Sequence, residues 1–108
     1  MRSKSEAMIA KVLKQHKIPY RYEEKLLLDE IELYPDFTIR HPKTGEMYYW
    51  EHFGLLDKPD YVRKMHFKLK IFTKHNIMPG INLITTYENQ DVPLTFEMIE
   101  MMVKYYFL

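Results

Sequence analysis

The stretch from Tyr34 to Gly54, YPDFTIRHPKTGEMYYWEHFG, constrains this chain more than any other. β-branched and aromatic residues flank His41-Pro42-Lys43-Thr44-Gly45, so the stretch reads as two strands joined by a Pro/Gly turn. Asp36 follows a proline in the first strand, and Glu51 interrupts an aromatic run in the second. A buried charge without a partner is costly, so neither carboxylate suits a plain core strand. On neighbouring strands the two would bring their oxygens together, as a hard divalent cation requires.

Strand alternation says which residues share a face. Tyr49, Glu51 and Phe53 fall on one side of the second strand, and Tyr48, Trp50 and His52 on the other. In the first strand Asp36 is in phase with Tyr34 and Thr38, while Phe37 and Ile39 face away. Antiparallel pairing across the turn brings Asp36 and Glu51 onto one face if the register allows it, and the sequence leaves that register open.

The 108 residues suit one domain with a real core. A hydrophobic fraction of 46% and an aromatic fraction of 15% argue for a folded globule. With no cysteine, disulfides and thiol chemistry are excluded within the chain. No apolar run is long enough to span a bilayer, and the start MRSKSEAM lacks a secretory apolar region, so a cytoplasmic protein with no membrane partner is expected. Sixteen basic residues against 15 acidic ones give a net charge of +1, so any nucleic-acid binding needs a local basic surface.

Ser3-Lys4-Ser5-Glu6 has the form of a capping box, and Met8, Ile9, Val12, Leu13 and His16 continue an apolar helical face up to Pro19. Glu6 reads either as that cap alone or as a carboxylate reaching toward the acidic pair. Tyr20 to Leu28 and Ile31 to Arg40 read as two strands around Asp29-Glu30, with Pro35 marking an edge or an irregularity. Met47 to Phe53 completes an antiparallel meander. Asp57 is the expected N-cap of a helix running to about Asn76, in which Tyr61, Val62, Met65, Leu69 and Phe72 form the apolar arc. Lys68 and then Lys64 lie along one edge of that arc. Edge lysines commonly bury their stems and leave the amine in water, and here they can also lean toward a carboxylate cluster. Ile81 to Tyr87 reads as an interior strand covered on both faces, and a last helix turns Phe96, Ile99, Met102, Val103 and Tyr106 inward. The expected class is therefore α/β (α+β), in the order α-β-β-β-α-β-α. A helix between the third and fourth strands permits a parallel pair in a mixed sheet.

This order, with Pro35-Asp36 in one strand and Glu51 in the next, resembles the PD-(D/E)xK nuclease superfamily, the restriction-endonuclease-like fold. The wording SKSE…PYRYE…YPDFTI…YWEHFG is similar to an uncharacterised bacterial and phage-associated branch of it. The resemblance covers an αβββαβ core, with mixed sheet and flanking helices, and the last helix as an addition. It implies a single domain over 1–108, of a kind that often follows other sequence in a longer protein.

The resemblance further implies a metal-dependent nuclease that hydrolyses phosphodiester bonds in nucleic acid, DNA in most members. Asp36 and Glu51 would hold Mg²⁺ or Mn²⁺ with the backbone carbonyl of His52, and Glu6 corresponds to a first-helix glutamate that many members add. The family lysine falls two residues after Glu51, where this chain has Phe53. Some members supply it from the following helix, which makes Lys68, and then Lys64, the catalytic candidates. The alternative is an inactive nucleic-acid-binding or protein-interaction module on the same fold. A homodimer is compatible with either.

Other candidates take plainer readings. His52 points away from Glu51 and reads as a packing histidine. His16, His41, His66 and His75 show no metal-ligand spacing. The aromatics Tyr48, Tyr49, Trp50 and Phe53 are explained by core packing. Glu88, past the fourth strand, reads as a solvated loop acid.

Overall fold

The computed structural model describes residues 3–108. It is a mixed α+β fold. Helix α1 (Lys4–Gln15) is followed by β1 (Tyr20–Tyr22), β2 (Leu26–Leu28), β3 (Ile31–Leu33), β4 (Phe37–Arg40) and β5 (Met47–Phe53). Helix α2 (Pro59–Lys74), β6 (Leu83–Tyr87) and α3 (Phe96–Phe107) complete the chain. The main sheet has the order β1-β4-β5-β6, antiparallel except for the β5–β6 pair, and β2 with β3 forms a separate ribbon. The parallel pair is the one that α2 connects.

The first hairpin is expected as two long strands, but each breaks in the middle. Glu23 adopts φ +50°, a strained choice for a residue with a Cβ. Opposite it is Asp36, and the next residue outward on that strand is Pro35, which has no N–H to give to a ladder. The Glu23 N–H bonds the Asp36 carbonyl at 3.1 Å and closes the main-sheet part, while the outer half leaves as the β2–β3 ribbon. The irregularity expected at Pro35 is thus a change of sheet.

Alternation sorts the sheet into two faces. Phe37, Ile39, Trp50 and Ile84 are fully buried against Ile9, Val12 and Leu13 of α1 and Ile99, Val103 and Phe107 of α3. On the other face Leu83 packs with Phe72 and Ile77, against Tyr49, Leu69 and the ribbon leucines Leu26, Leu28 and Leu33. α1 and α3 therefore cover one face, and α2 covers the other.

Some local expectations hold and others need correcting. Ser3 caps α1 by accepting from the Glu6 N–H at 3.2 Å. Lys58, not Asp57, is the N-cap of α2 and gives no side-chain bond; the Asp57 carboxylate accepts instead from the Gln90 N–H at 3.1 Å. β6 is covered on both faces, as its apolar run implies, yet it is an edge strand in hydrogen bonding. Phe96, expected inward, is exposed, whereas Phe107, at the far end of α3, is buried in the core. No described helix is long and apolar enough to cross a membrane.

Trp50 sits at the centre of the larger core with its indole N–H bonded to Thr86 Oγ1 at 3.1 Å. Thr86→Val keeps the shape and removes that acceptor. It should cost about 2 kcal/mol, seen as a lower urea midpoint at unchanged m-value.

Candidate metal and phosphate site

Asp36 lies one step beyond the β4 ladder. The register that pairs Phe37 with Trp50 sets it opposite Glu51. The two residues are stitched by reciprocal bonds: the Asp36 N–H donates to Glu51 Oε1 at 2.9 Å, and the His52 N–H donates to Asp36 Oδ2 at 2.7 Å. The acids therefore share one face and are held in place by backbone groups. Because Pro35 ends the ladder, the Asp36 N–H is free to take a side chain instead of a strand partner.

Lys68 reaches in from α2 and places Nζ 2.6 Å from Glu51 Oε2, with the lysine side chain 26% exposed and the glutamate 3%. Lys64, one turn earlier, lines the same cleft from a more exposed position. Of the two lysines on that helix edge, only Lys68 meets a carboxylate among the described residues.

Phe53, at the position where the resemblance expects a lysine, is buried and stacked on Tyr87 with centroids 5.6 Å apart. It forms an apolar wall. The Tyr61 hydroxyl accepts from the Gly54 N–H at 3.1 Å and stands 3.5 Å from the His52 carbonyl. That second distance is beyond a normal O–H···O bond, so the carbonyl oxygen has no strong partner there.

Charge is in excess on the acidic side. Burial, then the neighbouring Glu51, push the Asp36 carboxyl up to about 7, against the lowering effect of the His52 N–H. Burial also pushes Glu51 above the ordinary carboxylate range, opposed by the charge and hydrogen bond of Lys68 and by the Asp36 N–H. One ammonium cannot balance a buried and a half-buried carboxylate, so Asp36 holds its proton up to about 7, and a cation would displace it.

Glu6 is less directly engaged. Its carboxylate accepts from the Tyr22 hydroxyl at 2.6 Å, yet its charge still contributes to the upward shift of both Asp36 and Glu51. The structure thus sets it within electrostatic range of the pair, with its oxygen engaged by Tyr22. Among the described residues no three His, Asp or Glu side chains form a ready-made cation cage. A cation here would rest on Asp36, Glu51, the His52 carbonyl and water. The donor set, all hard oxygens with excess negative charge, fits Mg²⁺ or Mn²⁺.

The cleft over these groups is ≈ 160 Å³ and is closed by Phe53, Tyr61 and Met65. That is below the usual size of an organic-ligand pocket and suits an ion with a single phosphate group. A larger depression of ≈ 480 Å³ lies at the far end of β4, around Tyr20, Arg21, Glu24 and Arg40. It contains no carboxylate pair and is separated from the cleft by the contact of Tyr49 with Phe72 and the ribbon.

The residue that sequence reasoning missed is Glu88, which is not a solvated loop acid. Its Oε1 accepts from the Ser5 hydroxyl and lies 2.7 Å from His52 Nε2, and its Oε2 accepts from the Leu94 N–H at 2.9 Å. Burial disfavours its charge, yet these three donors hold the carboxyl below the usual range. His52 Nδ1 in turn meets Thr86 Oγ1 at 2.8 Å. His52 therefore touches both faces: its backbone N–H orients Asp36 while its ring is fixed by Glu88 and Thr86. The only sequence signal was a histidine and a glutamate at the ends of adjacent strands.

The chain matches no family model and no curated protein. The site therefore stands on its geometry.

The raised Asp36 value fixes a sign. The folded state holds a proton that the unfolded state loses near 4, so Asp36 removes stability as pH rises from about 4 to about 7. Asp36→Asn should therefore stabilise the metal-free protein by on the order of 2 kcal/mol at pH 8 and by little at pH 4, read from urea midpoints at the two pH values.

Proposed function

We propose that the protein is a metal-dependent nuclease of the PD-(D/E)xK type, acting on phosphodiester bonds of nucleic acid, in which Lys68 of α2 substitutes for the lysine expected at Phe53. The observation that carries this reading is the contact of Lys68 Nζ with Glu51 Oε2 at 2.6 Å, on a glutamate directly opposite Asp36. A partly buried acid pair with an added helix lysine has the three charges that phosphoryl chemistry uses, and a purely structural strand pair has no need of them. DNA is the substrate that the resemblance suggests, and the cytoplasm is the setting that the composition suggests.

The roles follow from the chemistry of each group. Asp36 and Glu51, with the His52 carbonyl, are the oxygens that would hold Mg²⁺ or Mn²⁺. When bound, that ion supplies Lewis-acid stabilisation of a phosphoryl oxygen and a water of lowered pKa. In the metal-free protein the Asp36 carboxyl, pushed up to about 7, holds a proton that the cation would displace. Lys68 keeps a positive charge beside Glu51, where negative charge builds up as a phosphate is attacked. Phe53 and Met65 restrict water around the reacting group. Lys64 adds a second positive charge at the mouth, and Glu6 makes the site more negative from the first turn of α1.

One observation favours the inactive reading. The acids are already satisfied by Lys68, the Asp36 N–H and the His52 N–H, so the arrangement is also stable as a structural ion pair in a binding module. Cleavage separates the two. With Mn²⁺ and supercoiled plasmid, wild type should nick, and Asp36→Asn and Glu51→Gln should abolish nicking. Lys68→Ala should lower the rate by about 10²–10³-fold, and Lys64→Ala by less than tenfold. Equal rates for wild type and Lys68→Ala would remove the lysine from the mechanism.

A further inference from the structure

The chain is nearly neutral as a whole, but α2 is not. Its 16 residues carry Arg63, Lys64, Lys68, Lys70 and Lys74 against a single acid, Asp60. Lys68 is committed to Glu51, and Arg63 is shared with Asp60. Lys64, Lys70 and Lys74 are exposed and make no ion pair among the described residues. In the middle of them stands Phe67, which is 60% exposed although the buried face of α2 carries Ile71 and Phe72.

Helical spacing makes this a single surface. Arg63 and Lys64 lie one turn before Phe67 and Lys70 one turn after it, with Lys74 a further turn on. A ring of cations around one exposed aromatic side chain suits a polyanion whose units carry flat, stackable groups. Lys64 belongs both to this surface and to the lining of the acidic cleft, so the surface leads into the site. An anionic membrane fits less well. Membrane-binding helices lay a broad apolar face into the lipid, and here that face is used on the sheet.

We infer that the outer face of α2 is a platform for single-stranded nucleic acid, with a base stacked on Phe67 and phosphates against Lys64, Lys70 and Lys74. The inference deepens the nuclease reading by naming an unpaired strand as the form of substrate, and it rests on that reading only for the position of the strand at the cleft. A duplex keeps its bases stacked on each other, so it can use the lysines but not Phe67.

The test uses the intact chain, fluorescence anisotropy, EDTA to exclude cation effects, and a labelled oligothymidylate beside a duplex of equal length. Wild type should prefer the single strand. Phe67→Ala should weaken single-strand binding about tenfold and leave duplex binding within twofold. Lys70→Gln and Lys74→Gln should weaken both substrates and each reduce the salt slope by about 0.7 on the single strand. Since all three positions are exposed, circular dichroism and Mn²⁺ uptake should match wild type. Unchanged single-strand binding by Phe67→Ala would overturn the platform, as would binding to phosphatidylserine vesicles with none to the oligonucleotide. Oligonucleotide binding that depends on Phe67 in a protein that takes up no Mn²⁺ would support the platform while refuting the nuclease reading.

Discussion

Two carboxylates side by side, Glu51 buried and Asp36 half-buried, with one ammonium to balance them, are the constraint around which this small protein is arranged. Asp36 and Glu51 face each other across β4 and β5, and among the described residues the only cation in contact is Lys68. Leaving such a pair unbalanced costs more than most single interactions in a domain of this size can repay. The fold offsets the cost in two ways. Backbone N–H groups from Asp36 and His52 bind the acids, and burial with mutual repulsion lets the pair retain a proton near neutrality. Both devices leave room for a divalent cation to take the proton's place.

The rest of the architecture serves that pair. The large core on the α1/α3 side holds Trp50 and Ile84 and so fixes β5 in register against both neighbours. His52 then links the layers, because its backbone faces Asp36 and its ring is locked by Glu88 and Thr86. Glu88 also bonds Ser5, beside Glu6 in α1, and the backbone ahead of α3. The start of α1, the end of β6 and the entry to α3 are thus tied behind the acids. α2, on the opposite side, brings Lys68 inward and leaves its basic edge and Phe67 outward.

Much of this was legible in the residues because the signals were periodic. The order of helices and strands, apart from the split of the first two strands, and the two faces of β5 follow from alternation and loop length, whereas the register that sets Asp36 opposite Glu51 comes only from the structure. Lys68 was found because a helix edge beside an apolar arc has a fixed direction. What escaped depended on contacts distant in sequence. The break at Glu23 and Pro35 arises because an unfavourable residue stands on each of two paired strands. Glu88 looked like a loop acid because its donors, Ser5 and His52, come from other elements. The cap of α2 fell on Lys58 because the Asp57 carboxylate is used by Gln90.

As proposed, the acid pair is a cation site held shut by a proton. Titrating Mn²⁺ into the folded protein at neutral pH, in buffers of differing ionisation enthalpy, measures uptake and proton release together. One ion should bind, with about half a proton released at pH 7 and more at lower pH, binding should weaken as pH falls below about 7, and Asp36→Asn should not bind. Folded wild-type protein that takes up no Mn²⁺, or takes it up with no proton released at any pH, would contradict it.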